Sequence, residues 1–227
     1  MSESRILEGL LQLGVLIFSL CLHEFGHAWA ANRLGDPTAK MLGRLTINPR
    51  VHVDPLGTLL FPALMIIFPG LPLIGWAKPV PITAENFPKP RRDMCLVAVA
   101  GPLMNIFLGI GSLLVLSLFV QAHFFQMDQI MQMNVLRLLT LFLIMNFYLA
   151  VFNLIPIPPL DGGWLLKAIL PGKWSYKMSR LEPYSIILIY LLLRFGILNI
   201  IFIPAAVLLG AAMNWVGLGD FSGMMGI

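Results

Sequence analysis

The residues best suited to chemistry are two histidines and a glutamate near the end of the first apolar stretch. His23, Glu24 and His27 form the pattern His-Glu-x-x-His within a mostly apolar run from about residue 6 to residue 31. On a helix, residues i and i+4 share a face, so the two imidazoles can bind one metal ion. The glutamate beside them can act as a base toward a metal-bound water, as in zinc-dependent hydrolysis. The alternative is that these polar side chains only bridge helices.

A catalytic zinc site needs a third protein ligand and an open position for water. The candidate is Asp161, which follows a proline-rich stretch and precedes two glycines. The prolines end the preceding helix, because each lacks an N–H and restricts the residue before it. Asp161 is therefore expected at the same membrane depth as His23 and His27. The alternative role for Asp161 is the N-cap of the following helix.

Two asparagines and a third histidine are further candidates. Asn105 lies one turn after Gly101, and its amide can donate to a substrate carbonyl or to a developing oxyanion; a purely interhelical hydrogen bond is an equal alternative. Asn153 either orients Asp161 or satisfies backbone groups that the prolines free. His52 lies in a loop expected on the cytoplasmic side; it can approach the site, but a solvated or loop-stabilising role is favoured.

The composition is that of a polytopic membrane protein. Hydrophobic residues make up 58% of the 227 residues and charged residues only 11%, and the mean hydropathy is +0.85. The net charge of +4 does not indicate nucleic-acid binding, because the basic residues are spread over separate loops. Cys21 and Cys95 do not form a disulfide framework. We expect a single domain over residues 1–227.

The apolar pattern predicts an all-α helical bundle. Its helices are expected at about residues 5–32, 93–120, 135–155 and 184–216. The last stretch is too long for one untilted span, and Arg194 to Gly196 can mark a turn between two helices. Segment 56–76 is broken by prolines, and segment 39–47 is expected to form a short strand pair near the cytoplasmic face.

The distribution of basic residues predicts the orientation. Loops 33–55, 77–92 and 162–182 each carry four Lys or Arg, whereas loop 121–134 carries none. By the positive-inside rule the three basic loops are cytoplasmic and loop 121–134 is external. Segment 56–76 then begins and ends on the same side, which predicts a re-entrant hairpin that turns at Pro69-Gly70.

These elements resemble the three signatures of the site-2 protease family, which are intramembrane zinc metalloproteases. The similar elements are the His23 to His27 motif, Gly101-Pro102 with Asn105, and the Asn153 to Gly163 segment. The resemblance implies that His23, His27 and Asp161 bind one zinc ion per chain and that Glu24 is the general base. It also implies a multi-pass protein of the cell membrane that cleaves the transmembrane segment of a partner protein near the cytoplasmic face.

Two other classes of function remain open at this point. A transporter or metal carrier also places His and Asp within the membrane and often has broken helices. The chain shows neither an inverted repeat nor a His-rich loop, which disfavours this class. The other class is an inactive relative that only binds membrane proteins, and the complete motif set argues against it. Metal flux that a Glu24→Gln substitution leaves unchanged would indicate the transporter.

Overall fold

The computed structural model describes residues 3–68, 75–121 and 128–219, and these residues form helices and turns without any strand. The helices are α1 (Glu3–Leu34), α2 (Thr38–Met41), α3 (Phe61–Ile67), α4 (Pro90–Gln121), α5 (Gln129–Asn153), α6 (Asp161–Ile169), α7 (Gly172–Ser179), α8 (Ser185–Arg194) and α9 (Ile197–Val216). Short 3-10 turns lie at Pro49–Val51, Ala84–Asn86 and Glu182–Tyr184, and a π-helical turn at Pro55–Leu60 precedes α3.

Four of these helices, α1, α4, α5 and α9, are long and apolar enough to cross a membrane. Helix α4 is the centre of the bundle and packs against α1, α5, α6 and α9. A core of Leu116, Leu143, Leu209 and Met213 joins α4, α5 and α9. Many large apolar side chains elsewhere on these helices are exposed, as a lipid-facing surface requires. The protein is therefore a multi-pass helical membrane protein, as predicted.

The last apolar stretch forms two helices and not one. Helix α8 ends at Arg194, and α9 begins at Ile197. Gly196 between them has a φ of 71°, a left-handed conformation that glycine adopts at little cost. The turn predicted at Arg194 to Gly196 is confirmed.

The strand pair predicted over 39–47 is wrong. The chain instead forms the one-turn helix α2 followed by turns. The reason is Asp36, whose buried carboxylate accepts the backbone N–H of Thr38 at 3.0 Å and so starts a helical turn. The same carboxylate accepts from Thr83 N at 2.8 Å and from Asn86 Nδ2 at 2.7 Å, which ties α2 to the loop before α4. Burial alone would raise the pKa of Asp36, but these hydrogen bonds outweigh it and lower the pKa.

The proline-broken segment returns to its starting point. Trp76 N donates to Gly57 O at 3.2 Å, and Thr58 Oγ1 donates to Trp76 O at 2.7 Å. The predicted turn at Pro69-Gly70 lies outside the described residues, so re-entry into the membrane stays a prediction. From Gly75 to Thr83 the chain has no regular secondary structure.

Candidate metal centre

Helix α1 presents the two motif histidines to α4. His23 and His27 are buried, with 4% and 7% of their surface exposed. Gly101 on α4 faces them: a Cβ atom at that position would lie 2.3 Å from His27 Nε2 and 2.7 Å from His23 Cε1. Because such distances are far below van der Waals contact, the missing side chain at Gly101 creates the space for both imidazoles.

Asp161 reaches the histidines because α6 begins beside them. Asp161 is the first residue of α6 and Leu160 occupies the N-cap position, so Asp161 is not the N-cap. A Cβ on Gly162 would lie 2.2 Å from Leu154 O, and one on Gly163 would lie 2.4 Å from Pro158 N. The two glycines thus allow the start of α6 to pack directly on the turn that follows α5.

The structure brings one nitrogen or oxygen atom of each residue into a single cluster. The Nε2 atoms of His23 and His27 are 3.0 Å apart. Asp161 Oδ2 lies 3.1 Å from His23 Nε2, and Asp161 Oδ1 lies 3.2 Å from His27 Nε2. A tetrahedral ion with bonds of about 2.0–2.1 Å separates its ligand atoms by about 3.3 Å, close to these distances.

The hydrogen bonds of the two imidazoles determine their tautomers, and hence which ring nitrogen has a lone pair available for a metal ion. His23 Nδ1 lies 2.6 Å from Asn105 Oδ1, and His27 Nδ1 lies 2.8 Å from Val97 O. Both partners are acceptors, so each Nδ1 carries the proton and each Nε2 presents a lone pair. Asp161 Oδ2 is buried without a hydrogen-bond partner among the described residues. Three converging lone-pair atoms repel one another, and a cation between them removes that repulsion, so this set of atoms fits a metal ion.

Asn105 lies in a buried network of interhelical hydrogen bonds, the alternative to the oxyanion role. Its side chain is fully buried, and its amide donates to Asn146 Oδ1 at 2.9 Å and approaches Ser19 O at 3.4 Å. Because its N–H groups are directed at these two residues, they do not face a reacting carbonyl. Its oxygen holds His23 instead. The geometry therefore favours orientation of a histidine over the oxyanion role that the sequence analysis considered.

Glu24 lies beside the cluster in the same cavity. Its Oε2 accepts the backbone N–H of Val80 at 2.8 Å, which fixes one carboxylate oxygen and leaves the other available. The cavity has a volume of about 700 Å³ and is lined by His23, Glu24, His27 and Asp161 together with apolar residues of α1, α4 and α5. A polypeptide segment and water can both be accommodated next to the carboxylate.

The remaining candidates take structural positions. His52 is buried, its Nε2 pairs with Thr46 O at 2.9 Å, and its own carbonyl accepts from Lys78 N at 2.8 Å. It therefore stabilises the loop, as expected. Asn153 lines the cavity, and its amide donates to Leu149 O at 2.9 Å; a role in orienting Asp161 stays a prediction.

Two residues around the centre were not singled out in the sequence. Asn146 on α5 is fully buried and donates to Ser19 Oγ at 3.0 Å, so it completes the polar network behind His23. An asparagine within an apolar span is itself an indication of a buried polar contact. Ser19 lies one turn before His23, where a small polar residue gives no specific pattern.

Comparison with known proteins identifies the family. The family model Peptidase family M50 matches residues 119–194. "Putative zinc metalloprotease YwhC" of Bacillus subtilis is 37% identical over 177 residues, covering 78% of this chain and 77% of that protein. "Putative zinc metalloprotease Rip2" of Mycolicibacterium smegmatis is 30% identical, covering 81% of this chain and 66% of that protein. "Zinc metalloprotease MJ0392" of Methanocaldococcus jannaschii is 31% identical, covering 82% of this chain and 43% of that protein.

No solved structure matches the fold. The relative from Bacillus subtilis aligns over most of both chains, and the matched family region contains Asp161. This chain therefore belongs to peptidase family M50, the site-2 protease family of metallopeptidases.

Proposed function

We propose that this protein is a zinc-dependent intramembrane endopeptidase that hydrolyses a peptide bond in the transmembrane segment of a membrane-protein substrate, as a step of regulated intramembrane proteolysis. The observation that carries the proposal is the convergence of three lone-pair atoms beside Glu24 on a membrane-spanning helix. Polar groups at such depth are costly and are retained for function. The relatives named as zinc metalloproteases support zinc as the ion.

In this proposal His23, His27 and Asp161 hold one zinc ion per chain. When bound, zinc polarises the scissile carbonyl and makes water more acidic. Glu24 accepts the proton of the attacking water and delivers it to the leaving amine. The bond from Val80 N to Glu24 Oε2 keeps the carboxylate oriented while its other oxygen handles the proton. Asn105 and the Val97 carbonyl keep the two imidazoles in the required tautomer.

The substrate must unwind before it is cut, because an intact helix hides its carbonyls in i to i−4 hydrogen bonds. The irregular segment 75–83 passes beside Glu24 and lines the cavity. An unwound substrate can lie along this backbone with its scissile bond next to the cluster. The lipid bilayer supplies the substrate laterally.

The active site is proposed to face the cytoplasm of the cell. Loops 33–55 and 162–182 are both basic and lie at the ends of α1 and α5 that carry the cluster. By the positive-inside rule these loops are cytoplasmic, so water enters from that side.

The test begins with the zinc content of the detergent-purified protein and of three variants. We expect about one zinc per chain in the unmodified protein and in Glu24→Gln, and loss of zinc in Asp161→Ala. Asp128→Ala, which removes an exposed carboxylate at the start of α5, is the control and should retain zinc. Full zinc in Asp161→Ala would place the third ligand elsewhere.

The second step measures cleavage of single-span reporter proteins in co-reconstituted vesicles. Glu24→Gln should keep its zinc and lose cleavage, because only the base is removed. Cleavage by Glu24→Gln would show that the mechanism is wrong. Zinc uptake into the vesicles, equal in Glu24→Gln and the unmodified protein, would identify a transporter instead.

A further inference from the structure

Helix α7 carries an exposed surface whose composition the site does not explain. Residues 162–181 include four basic residues and no acidic one. On α7 and just after it, five exposed side chains form what we term the basic–aromatic surface: Lys173, Trp174, Tyr176, Lys177 and Arg180. Trp174 and Tyr176 remain 58% and 61% exposed. Only a narrow face of α7, with Ser175 and the buried Met178, turns toward the protein.

The cations of this surface have aromatic partners but no acidic ones. Lys177 Nζ lies 4.7 Å from the ring centre of Trp174, and Arg180 Cζ lies 5.1 Å from that of Tyr176. Among the described residues, Lys173, Lys177 and Arg180 form no ion pair. Lys167 on α6 differs, because it pairs with Glu182. Three positive charges are thus left without a counter-charge in the described part of the chain.

This combination identifies a lipid surface as the partner. Tryptophan, tyrosine and lysine are enriched at the membrane–water interface, where the ring meets the acyl boundary and the cation meets the headgroup. Unpaired cations there attract anionic lipid. Helix α7 lies between the candidate spans α5 and α9, is too short to cross the membrane, and begins 19 residues after the end of α5, which places it within reach of a membrane surface. We propose that the basic–aromatic surface of α7 binds the headgroups of anionic phospholipids.

The binding has a consequence for the third residue of the cluster. Only Leu170 and Pro171 separate α7 from α6, and α6 begins with Asp161. The pair between Lys167 and Glu182 also fixes α6 to the turn before α8. Headgroups bound to α7 therefore hold Asp161 at a constant depth. The proposal that α7 binds lipid does not depend on the proposed function. The coupling to Asp161 does depend on it, because it assumes that Asp161 binds zinc.

The test compares two triple variants that lose the same charge. The first is Lys173→Gln, Lys177→Gln and Arg180→Gln. The matched control is Lys89→Gln, Arg91→Gln and Arg92→Gln, which removes three exposed cations around the start of α4, expected on the same side. Native mass spectrometry of the full chain measures the preference for phosphatidylglycerol over phosphatidylcholine.

We expect the unmodified protein and the control to prefer phosphatidylglycerol. Each basic residue near a membrane surface contributes about fivefold, so the α7 variant should lose on the order of a hundredfold of that preference. The loss should be smaller in the control, because only the α7 cations lie against aromatic side chains that hold them at the interface. Equal loss in both triple variants, or no loss in either, would overturn the proposal. Binding of a soluble acidic peptide to this surface without any lipid preference would assign it to a protein partner and would also overturn the proposal.

A second readout tests the coupling to Asp161. The rate of zinc loss to a chelator is measured in phosphatidylcholine vesicles with and without phosphatidylglycerol. Phosphatidylglycerol should slow zinc loss from the unmodified protein and the control, but not from the α7 variant. Lipid preference without an effect on zinc loss would overturn the coupling alone. Absence of zinc from every protein would contradict the proposed function and leave the result on lipid binding intact.

Discussion

Replacement of Asn105 separates two roles that its position allows. Asn105→Leu removes the acceptor of His23 Nδ1, which is 2.6 Å away and buried. In the zinc-free protein the imidazole can rotate or move its proton to relieve this loss. Zinc binding requires the lone pair on Nε2 and therefore the proton on Nδ1, so the unpaired N–H must be tolerated in the bound state.

The magnitude follows from that unpaired donor. A buried donor without a partner costs about 1–3 kcal/mol, and about 1.4 kcal/mol corresponds to a factor of ten in affinity. Zinc affinity should therefore fall by about 5- to 150-fold, which agrees with the 10- to 100-fold effect typical of residues that orient metal ligands. Asn105→Asp keeps an acceptor for His23 and loses donation to Asn146 Oδ1 and Ser19 O, neither of which is a cluster residue, so its zinc affinity should stay closer to that of the unmodified protein than that of Asn105→Leu.

The assay is competition for zinc between each purified variant and a chromogenic chelator, followed by the cleavage rate at saturating zinc. Orientation of His23 predicts weak zinc binding in Asn105→Leu alone. An oxyanion donor predicts normal zinc affinity in both variants, with cleavage about 10²- to 10³-fold slower in each. The second pattern would refute the reasoning given for Asn105.

Two further substitutions test the space around the cluster and the loop that Asp36 organises. Gly101→Ala should abolish zinc binding with helix content unchanged, because its Cβ would lie 2.3 Å from His27 Nε2; Gly111→Ala on the same helix meets nothing within 4 Å and should keep its zinc. Equal zinc content in these two variants would contradict the close approach. Asp36→Asn should destabilise the protein by about 1–3 kcal/mol in thermal unfolding. The folded pKa of Asp36 lies below the unfolded value of about 3.9. The difference in unfolding free energy between Asp36→Asn and the unmodified protein should therefore persist at neutral pH and vanish only as the pH falls through that lowered pKa. Equal stability of the two proteins at neutral pH would contradict this role of Asp36.

The sequence predicted the elements that depend on local pattern. The spacing of His23 and His27 determines their common face. The apolar runs determine the ends of α1, α4 and α5 within three residues, except that α5 begins six residues earlier than predicted. Gly196 marked the break between α8 and α9 because a left-handed turn favours glycine. Asp161 was placed near the histidines from topology alone, and the structure brings the three side chains together.

What the sequence could not predict depends on contacts between distant elements. The role of Asn105 depends on Asn146, which α5 contributes from 41 residues away. The strand pair over 39–47 was a prediction from composition, and the long-range hydrogen bonds of Asp36 with Thr83 and Asn86 decide against it. The close approach of both imidazoles to Gly101 likewise depends on how α1 packs on α4.

The late position of Asp161 in the chain has a consequence for biosynthesis. His23 and His27 emerge from the ribosome with the first span, but their carboxylate partner follows two further spans, α4 and α5. Until α6 has been synthesised and packed on the turn after α5, the nascent protein holds only two of the three cluster residues. The order of the helices therefore delays assembly of the three-residue cluster until α6 has been synthesised, after three of the four candidate spans.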